Sequence, residues 1–195
     1  MPLAAFEIIA LAASAGGLKA LTEVLAALPA QLPVSVVVVQ HLDRRHPSLM
    51  AEILNRRTLI KVKEAEHGER LHAGSAYIAP PDHHLLINRG GLVSLTQTEL
   101  VHFLRPSADL LFESVAASFR ERAIAVILSG TGTDGAMGVK AIKKMGGTVI
   151  VQKPGTSEFR GMPDAALQTG QADFVLELDE IAPALVTLVR EAAAE

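Results

Sequence analysis

A chain of 195 residues is long enough to bury a proper hydrophobic core in one domain. Its composition is 49% hydrophobic but only 4% aromatic, so that core has to be aliphatic, built from Ala, Val, Ile and Leu. The absence of Cys excludes disulfides, thiolate metal sites and Cys nucleophiles, and a net charge of −3 without a basic run argues against nucleic-acid binding.

The N-terminal stretch Met1-Pro2-Leu3-Ala4-Ala5-Phe6-Glu7 lacks a positive region, and Glu7 interrupts its apolar character, so no signal peptide is expected. No uncharged apolar run reaches the roughly 18 residues that mark a membrane span, so no direct membrane insertion is expected. A cytoplasmic location fits the lack of Cys.

In chain order, Ile8 to Ala12 reads as a buried strand, ended by Ser14-Ala15-Gly16-Gly17. Leu18, Leu21, Leu25 and Leu28 then recur at helical spacing up to Pro29. Val34 to Val39 is a second continuous apolar run, closed by Gln40-His41; continuity instead of alternation predicts a parallel strand covered on both faces. Pro47 opens a helix carrying Leu49, Met50, Ile53 and Leu54. From Arg57 to Thr98 the pattern changes to short β-like pieces: Leu59 to Val62, Ala76 to Ala79, His84 to Ile87 and Leu92 to Leu95, with Arg89-Gly90-Gly91 as a hairpin turn. This stretch, around 59–96, reads as a small antiparallel edge or insertion.

Ser107 caps a helix with Leu110, Leu111, Val115 and Phe119. Ile124 to Leu128 reads as a strand, Gly135 to Met145 as a helix and Thr148 to Val151 as a strand. A loop from Pro154 to Pro163, a short helix from Asp164 to Thr169 and an edge strand at Phe174 to Leu176 follow. Ile181, Leu185 and Leu188 form one face of a C-terminal helix that frays over Glu191 to Glu195. The alternation predicts an α/β fold, a doubly wound and mainly parallel sheet with helices on both faces, as a single domain over 1–195.

The stretch from Ala125 to Gly135 is the most informative. An apolar strand ends abruptly in Ser129-Gly130-Thr131-Gly132-Thr133-Asp134-Gly135 before a helix. In open α/β sheets, chemistry gathers in the crevice at the carboxyl ends of the strands. Three strands end in polar turns, at Ser14, His41 and Asp134. If parallel, they bring a hydroxyl, an imidazole and a carboxylate to one edge, the set a nucleophilic hydrolase uses. Each residue also has a plainer reading. Ser14 stands where an N-cap stands, His41 where a satisfied strand-end His would, and Asp134 where a carboxylate caps the next helix. Small neighbours around Ser14 leave room for close approach, and the Ala15 amide offers an oxyanion donor. The order Ser, His, Asp, with Ala12 in place of the first Gly of G-x-S-x-G, separates the pattern from the α/β-hydrolases.

His83 and His84 fall on opposite faces of a strand, and His46, His67, His72 and His102 lack ligand spacing, so no metal site is expected. A rival reading of the glycine loop stays open. Gly130, Gly132 and Gly135 match G-x-G-x-x-G between a strand and a helix, the dinucleotide fingerprint. Against it, the next strand ends Val151-Gln152-Lys153 with no acid for a ribose, and Asp134 would place negative charge beside a pyrophosphate.

Six pieces of the chain, in order, resemble one family. They are Ala13-Ser14-Ala15-Gly16-Gly17, Val39-Gln40-His41, Gly74-Ser75-Ala76-Tyr77-Ile78-Ala79-Pro80-Pro81, Arg105-Pro106-Ser107-Ala108-Asp109-Leu110-Leu111-Phe112, Leu128 to Ala136, and Gly161-Met162-Pro163 followed by Ala165-Ala166. Together they resemble the catalytic domain of the CheB-type chemotaxis methylesterases, enzymes that hydrolyse glutamate γ-methyl esters and deamidate glutamines. The likeness runs from about Ile8 to Val189. It implies Ser14, His41 and Asp134 as a catalytic triad and the backbone amides of Ala15 and Thr131 as oxyanion donors, with no cofactor. The family usually has Thr at position 15 and Met at position 131, changes that leave a backbone donor intact. After His41 this chain reads Leu42-Asp43-Arg44-Arg45-His46-Pro47 where the family often has Met-Pro.

The resemblance further implies the cytoplasmic region of methyl-accepting chemoreceptors as partner, with Arg44, Arg45 and Arg105 placed to engage its acidic surface. A receptor methyltransferase or a separate response regulator is a further partner on the same reading. Members commonly carry an N-terminal receiver domain; this chain starts at its first catalytic strand, so phosphorylation control within it is not expected. A dinucleotide enzyme using the 130–135 loop and a non-catalytic receptor-binding adaptor are the competing functions.

Overall fold

The computed structural model describes residues 6–194, so what was read from Met1 to Ala5 and at Glu195 lies outside the described residues. In chain order the elements are β1 (Ile8–Ala13), α1 (Gly17–Ala26), β2 (Ser35–Gln40), α2 (Met50–Asn55), β3 (Lys61–Glu64), β4 (Ser75–Ile78), β5 (His84–Asn88) and β6 (Leu92–Thr96). Then come α3 (Ala108–Phe119), β7 (Ala123–Ile127), α4 (Ala136–Lys144), β8 (Thr148–Gln152), α5 (Gly161–Gln168), β9 (Phe174–Leu176) and α6 (Leu178–Ala194).

Seven strands form one parallel sheet in the order β3-β4-β2-β1-β7-β8-β9, and β5 pairs with β6 in a separate antiparallel hairpin. Every residue of β1, β2 and β7 is buried, which is why these strands carry unbroken Val, Ile, Leu and Ala. The pleat sorts them into two cores. Ile8, Ala10 and Ala12 pack with α3 and α4 residues such as Leu111, Phe112, Val139 and Ile142. Ile9, Leu11 and Ala13 pack with Leu21 and Leu25 of α1 and Ile181 and Leu185 of α6.

The sequence reading assigned an antiparallel character to the whole of 59–96, and here the structure narrows it. Only β5 and β6 are antiparallel; β3 pairs in parallel with β4, and β4 in parallel with β2. The 65–74 connection contains no helix, and a helix is the usual announcement of a parallel crossover. β3 also alternates, with Lys61 exposed and Val62 buried, as an edge strand does.

Helix α3 lies between the sheet and the hairpin. Its Ser114 Oγ accepts from the Ile87 amide (3.0 Å), and its Ser118 Oγ donates to the Ile87 carbonyl (2.8 Å). The second half of α3 is thereby tied to the hairpin. The chain leaves β1 for α1 in one layer and leaves the adjacent β7 for α4 in the other. This is the strand-order switch at which open α/β sheets form a crevice.

Candidate active site

The register of β1, β2 and β7 sets three loops level with one another. Ala13 lies opposite Gln40, and Ala12 opposite Ile127. Just beyond, the Ser14 amide donates to the Ser129 carbonyl (3.0 Å), and the His41 amide to the Ala13 carbonyl (3.1 Å). His41 Nε2 lies 2.7 Å from Asp134 Oδ2, with side-chain exposures of 9% and 1%. Asp134 Oδ2 also accepts from the Ala108 amide (2.6 Å); Oδ1 accepts from Ser107 Oγ (2.9 Å) and the Asp109 amide (3.0 Å). A carboxylate so surrounded by donors only accepts, so Nε2 carries the proton of a neutral His41 and Nδ1 is left as a base.

Two of the plainer readings are corrected by this arrangement. Ser14 is not a helix cap: α1 starts after Gly16, which is left-handed (φ 72°) and offers no side chain, and Ser14 Oγ makes no hydrogen bond among the described residues. Asp134 does cap a helix, but α3 in place of the α4 that follows it.

The exchange is reciprocal. Asp109, in the first turn of α3, sends Oδ1 to the amides of Gly135 (2.9 Å) and Gly138 (2.7 Å) at the start of α4. Burial pushes the Asp134 carboxyl up, but the bonds from His41 and from the Ala108 and Asp109 amides outweigh it, so the group lies below its ordinary value. For Asp109 burial wins: with the Asp134 charge beside it, its carboxyl lies above the ordinary value despite the Gly138 and Gly135 amides. As pH falls, Asp109 is therefore the first of the two to take up a proton. Behind them, buried His84 donates from Nε2 to the Glu99 carbonyl (2.9 Å) and accepts the Ser107 amide at Nδ1 (3.2 Å). Burial pushes this imidazole down, which keeps it neutral in that role.

Asp109→Ala should therefore destabilise by about 1–3 kcal/mol for each amide left bare. Asp109→Asn should recover most of that, because one amide oxygen can still accept from both donors. Chemical denaturation of the two variants checks this; equal loss in both would mean that charge, not acceptor geometry, holds the loop. The same geometry weighs against the dinucleotide reading. The amides that would hold a pyrophosphate at the start of α4 are occupied by a carboxylate.

The two proposed oxyanion amides, of Ala15 and Thr131, donate to no protein acceptor among the described residues. Their loops are clamped from behind. Ser129 Oγ donates to the Ala15 carbonyl (2.8 Å) and accepts the Phe159 amide (3.0 Å). Gln152 Oε1 accepts the Ser129 amide (2.9 Å), and the Met162 amide donates to the Gly130 carbonyl (2.9 Å). A Cβ on Gly161 would lie 2.9 Å from the Gly132 nitrogen, so α5 starts hard against the loop that carries Thr131. Gln40 Nε2 donates to the carbonyls of Ser14 (2.7 Å) and His41 (3.1 Å), tying the Ser14 loop to the His41 loop.

None of these clamps was assigned in the sequence reading. The available signal was a polar residue directly following a buried run, as at Gln40, Ser129 and Gln152. Gly17 leaves no space for a methyl group: a Cβ there overlaps Gln40 Oε1 outright and lies 2.8 Å from Ala13 Cβ. Gly17→Ala should cost about 1–3 kcal/mol by overpacking and should lower turnover in molecules that remain folded. Folded Gly17→Ala with wild-type turnover would show that Gln40 does not set the site.

Arg44, Arg45 and Arg105 all line a cleft of about 400 Å³ that also includes His41. They are not equivalent. Arg105 binds Asp82 Oδ1 through Nη2 (2.7 Å) and Nε (3.0 Å) and the carbonyls of Gln97 (3.1 Å) and Thr98 (2.7 Å). That corrects its reading as a substrate contact: its donors are consumed in joining loops. Arg45 is paired with Asp43 (2.9 Å), and Arg44 has only a 3.8 Å approach to Asp82. Among the described residues, no three His, Asp or Glu side chains converge as a metal-ligand set. No described helix is long and apolar enough to cross a membrane.

Comparison with known proteins agrees with this geometry. The family model for CheB methylesterase matches residues 9–185. A putative protein-glutamate methylesterase/protein-glutamine glutaminase of Leptospira interrogans is 40% identical over 94% of this chain and 95% of its own. The protein-glutamate methylesterase/protein-glutamine glutaminase of Moorella thermoacetica is 41% identical, and a numbered homologue of Pseudomonas aeruginosa 42%; this chain spans only 44% and 52% of their lengths. The crystal structure of the Thermotoga maritima CheB methylesterase catalytic domain superposes with a TM-score of 0.89 at 35% identity, covering 94% of this chain and 99% of that one. Matched through nearly all of its sheet and through every loop of the crevice, the chain belongs to the CheB methylesterase family.

Proposed function

We propose that this chain hydrolyses glutamate γ-methyl esters on the cytoplasmic region of methyl-accepting chemoreceptors, and deamidates glutamines there, in chemosensory signalling. The observation that carries the reading is the 2.7 Å pair of His41 with buried Asp134, level with Ser14 and with two amides free of protein acceptors among the described residues. In this reading Ser14 Oγ attacks the ester carbonyl and passes its proton to His41. Since Nε2 is engaged by Asp134, the receiving nitrogen is Nδ1. Asp134, held charged by its four donors, stabilises the imidazolium that forms. The negative oxygen of the tetrahedral intermediate lies between the amides of Ala15 and Thr131, each worth roughly 3–4 kcal/mol of transition-state stabilisation. The imidazolium protonates the departing methanol, and water repeats the sequence to release glutamate. With a glutamine substrate, ammonia leaves instead. The continuous sheet and its two cores support treating 1–195 as one catalytic unit.

The test is methanol release from methylated receptor cytoplasmic fragments, combined with labelling by a fluorophosphonate and peptide mapping. Release together with an adduct on Ser14 is expected. An adduct elsewhere would remove Ser14 from the mechanism. No release from any of several fragments by folded protein would leave the adaptor reading in its place.

A further inference from the structure

Two consecutive residues beside the crevice break the rules of their turn. Val101 and Leu104 exchange backbone hydrogen bonds (3.1 and 2.8 Å) around His102 and Phe103, closing a two-residue hairpin. Both central residues have positive φ, 49° and 63°, the signature of a type I′ turn. That turn takes Asn-Gly or similar pairs because side chains with a Cβ strain there, and bulky ones most. This chain instead places His and Phe, and leaves Phe103 88% exposed. An aromatic side chain held in water on a strained turn gains nothing for the fold, and such an outlier points to use at a surface.

Phe103, Leu42 and Arg44 all line the cleft of about 400 Å³, with His41 among the lining residues. Whatever fills that volume lies directly beside the reacting ester, and the volume far exceeds one esterified side chain. Arg105 is consumed by Asp82 and by carbonyls and Arg45 is paired with Asp43 through two hydrogen bonds, so the Arg44 guanidinium, 43% exposed and no closer than 3.8 Å to Asp82, is the cation of the cleft left to meet a ligand. The cleft therefore presents an aromatic surface and a positive charge at a fixed offset from His41.

Resting on the function proposed above, we infer that the 101–104 hairpin is the substrate-docking element. Phe103 receives a large apolar side chain of the protein segment that carries the ester, while Arg44 receives a neighbouring carboxylate. The occupant is thus a polypeptide segment that carries a large apolar side chain and a carboxylate beside the ester, and not a free amino-acid ester.

The test compares wild type, Phe103→Gly and Phe103→Leu on two substrates, a methylated receptor fragment and N-acetylglutamate γ-methyl ester. Gly suits the turn, so thermal stability should stay level or rise in Phe103→Gly. Its kcat/KM on the fragment should fall on the order of 30-fold, the scale of truncating an aromatic hot spot. The loss should appear in KM, with the small ester hydrolysed at the wild-type rate and Phe103→Leu intermediate. Unchanged kcat/KM on the fragment would overturn the inference and leave the esterase reading standing. Equal loss on both substrates would also overturn it, since the turn would then act through the catalytic groups. A wild type that cleaves neither substrate would bring down the proposed function and this inference together.

Discussion

Ser14→Ala should reduce methanol release by about six orders of magnitude in kcat, the scale seen when the nucleophile of such a constellation is removed. What remains would come from the oxyanion amides and binding, about 10³ to 10⁴ over water. The same variant should be thermodynamically silent, within about 0.5 kcal/mol of wild type, because Ser14 Oγ makes no hydrogen bond among the described residues and α1 takes no cap from it. A capping serine would give the reverse pattern, a stability loss of about 1 kcal/mol with turnover intact. Denaturation and turnover measured on one preparation separate the two.

Asp134→Asn should lower kcat by about 10⁴-fold, through the wrong His41 tautomer and an unsupported imidazolium. It should also destabilise the fold. Four donors converge on the carboxylate: His41 Nε2, Ser107 Oγ and the amides of Ala108 and Asp109. An amide side chain offers one oxygen, so its NH₂ must face donors on one side, at about 1–3 kcal/mol for each donor left unmatched. The pH dependence gives an independent check. Burial pushes the Asp134 carboxyl up but is outweighed by His41 and the two amides, so its folded-state pKa lies below that of the unfolded chain. The stability it contributes is complete above the unfolded carboxylate value, near 3.9, and is lost as pH falls through the folded value. Unfolding free energy of the wild type should therefore decline below about pH 4, with a shallower decline in Asp134→Asn. Matching slopes would mean that Asp134 is not the charged group in the native site.

The convergence of Ser14, His41 and Asp134 on one edge was legible because each lies in the turn that follows an unbroken apolar run, and a parallel sheet leaves such turns on one edge. Asp109 was not. An acidic residue in the first turn of a helix looks like a favourable partner for that helix's own N-terminus, and nothing in its neighbourhood points to amides at Gly135 and Gly138. Ser107 was read correctly as the cap of α3, where it accepts from the Leu110 amide, while its second bond, to Asp134, was invisible for the same reason. Arg105 misled in the other direction: a cation near the crevice suggests a ligand, but Asp82 and two carbonyls had already claimed it. β3 and β4 showed the limit of pattern reading. Their strands were located to within two residues, yet their direction depends on a crossover that no helix marks.

The interlocked carboxylates have a consequence for how the site opens. Asp134 protects the first amides of α3 and Asp109 those of α4, so neither helix start can loosen without releasing the other. The amides of Ala108, Asp109, Gly135 and Gly138 should then exchange with deuterium as one cooperative unit, with a common opening free energy. A force applied at either loop would break the His41–Asp134 pair before the central strands open.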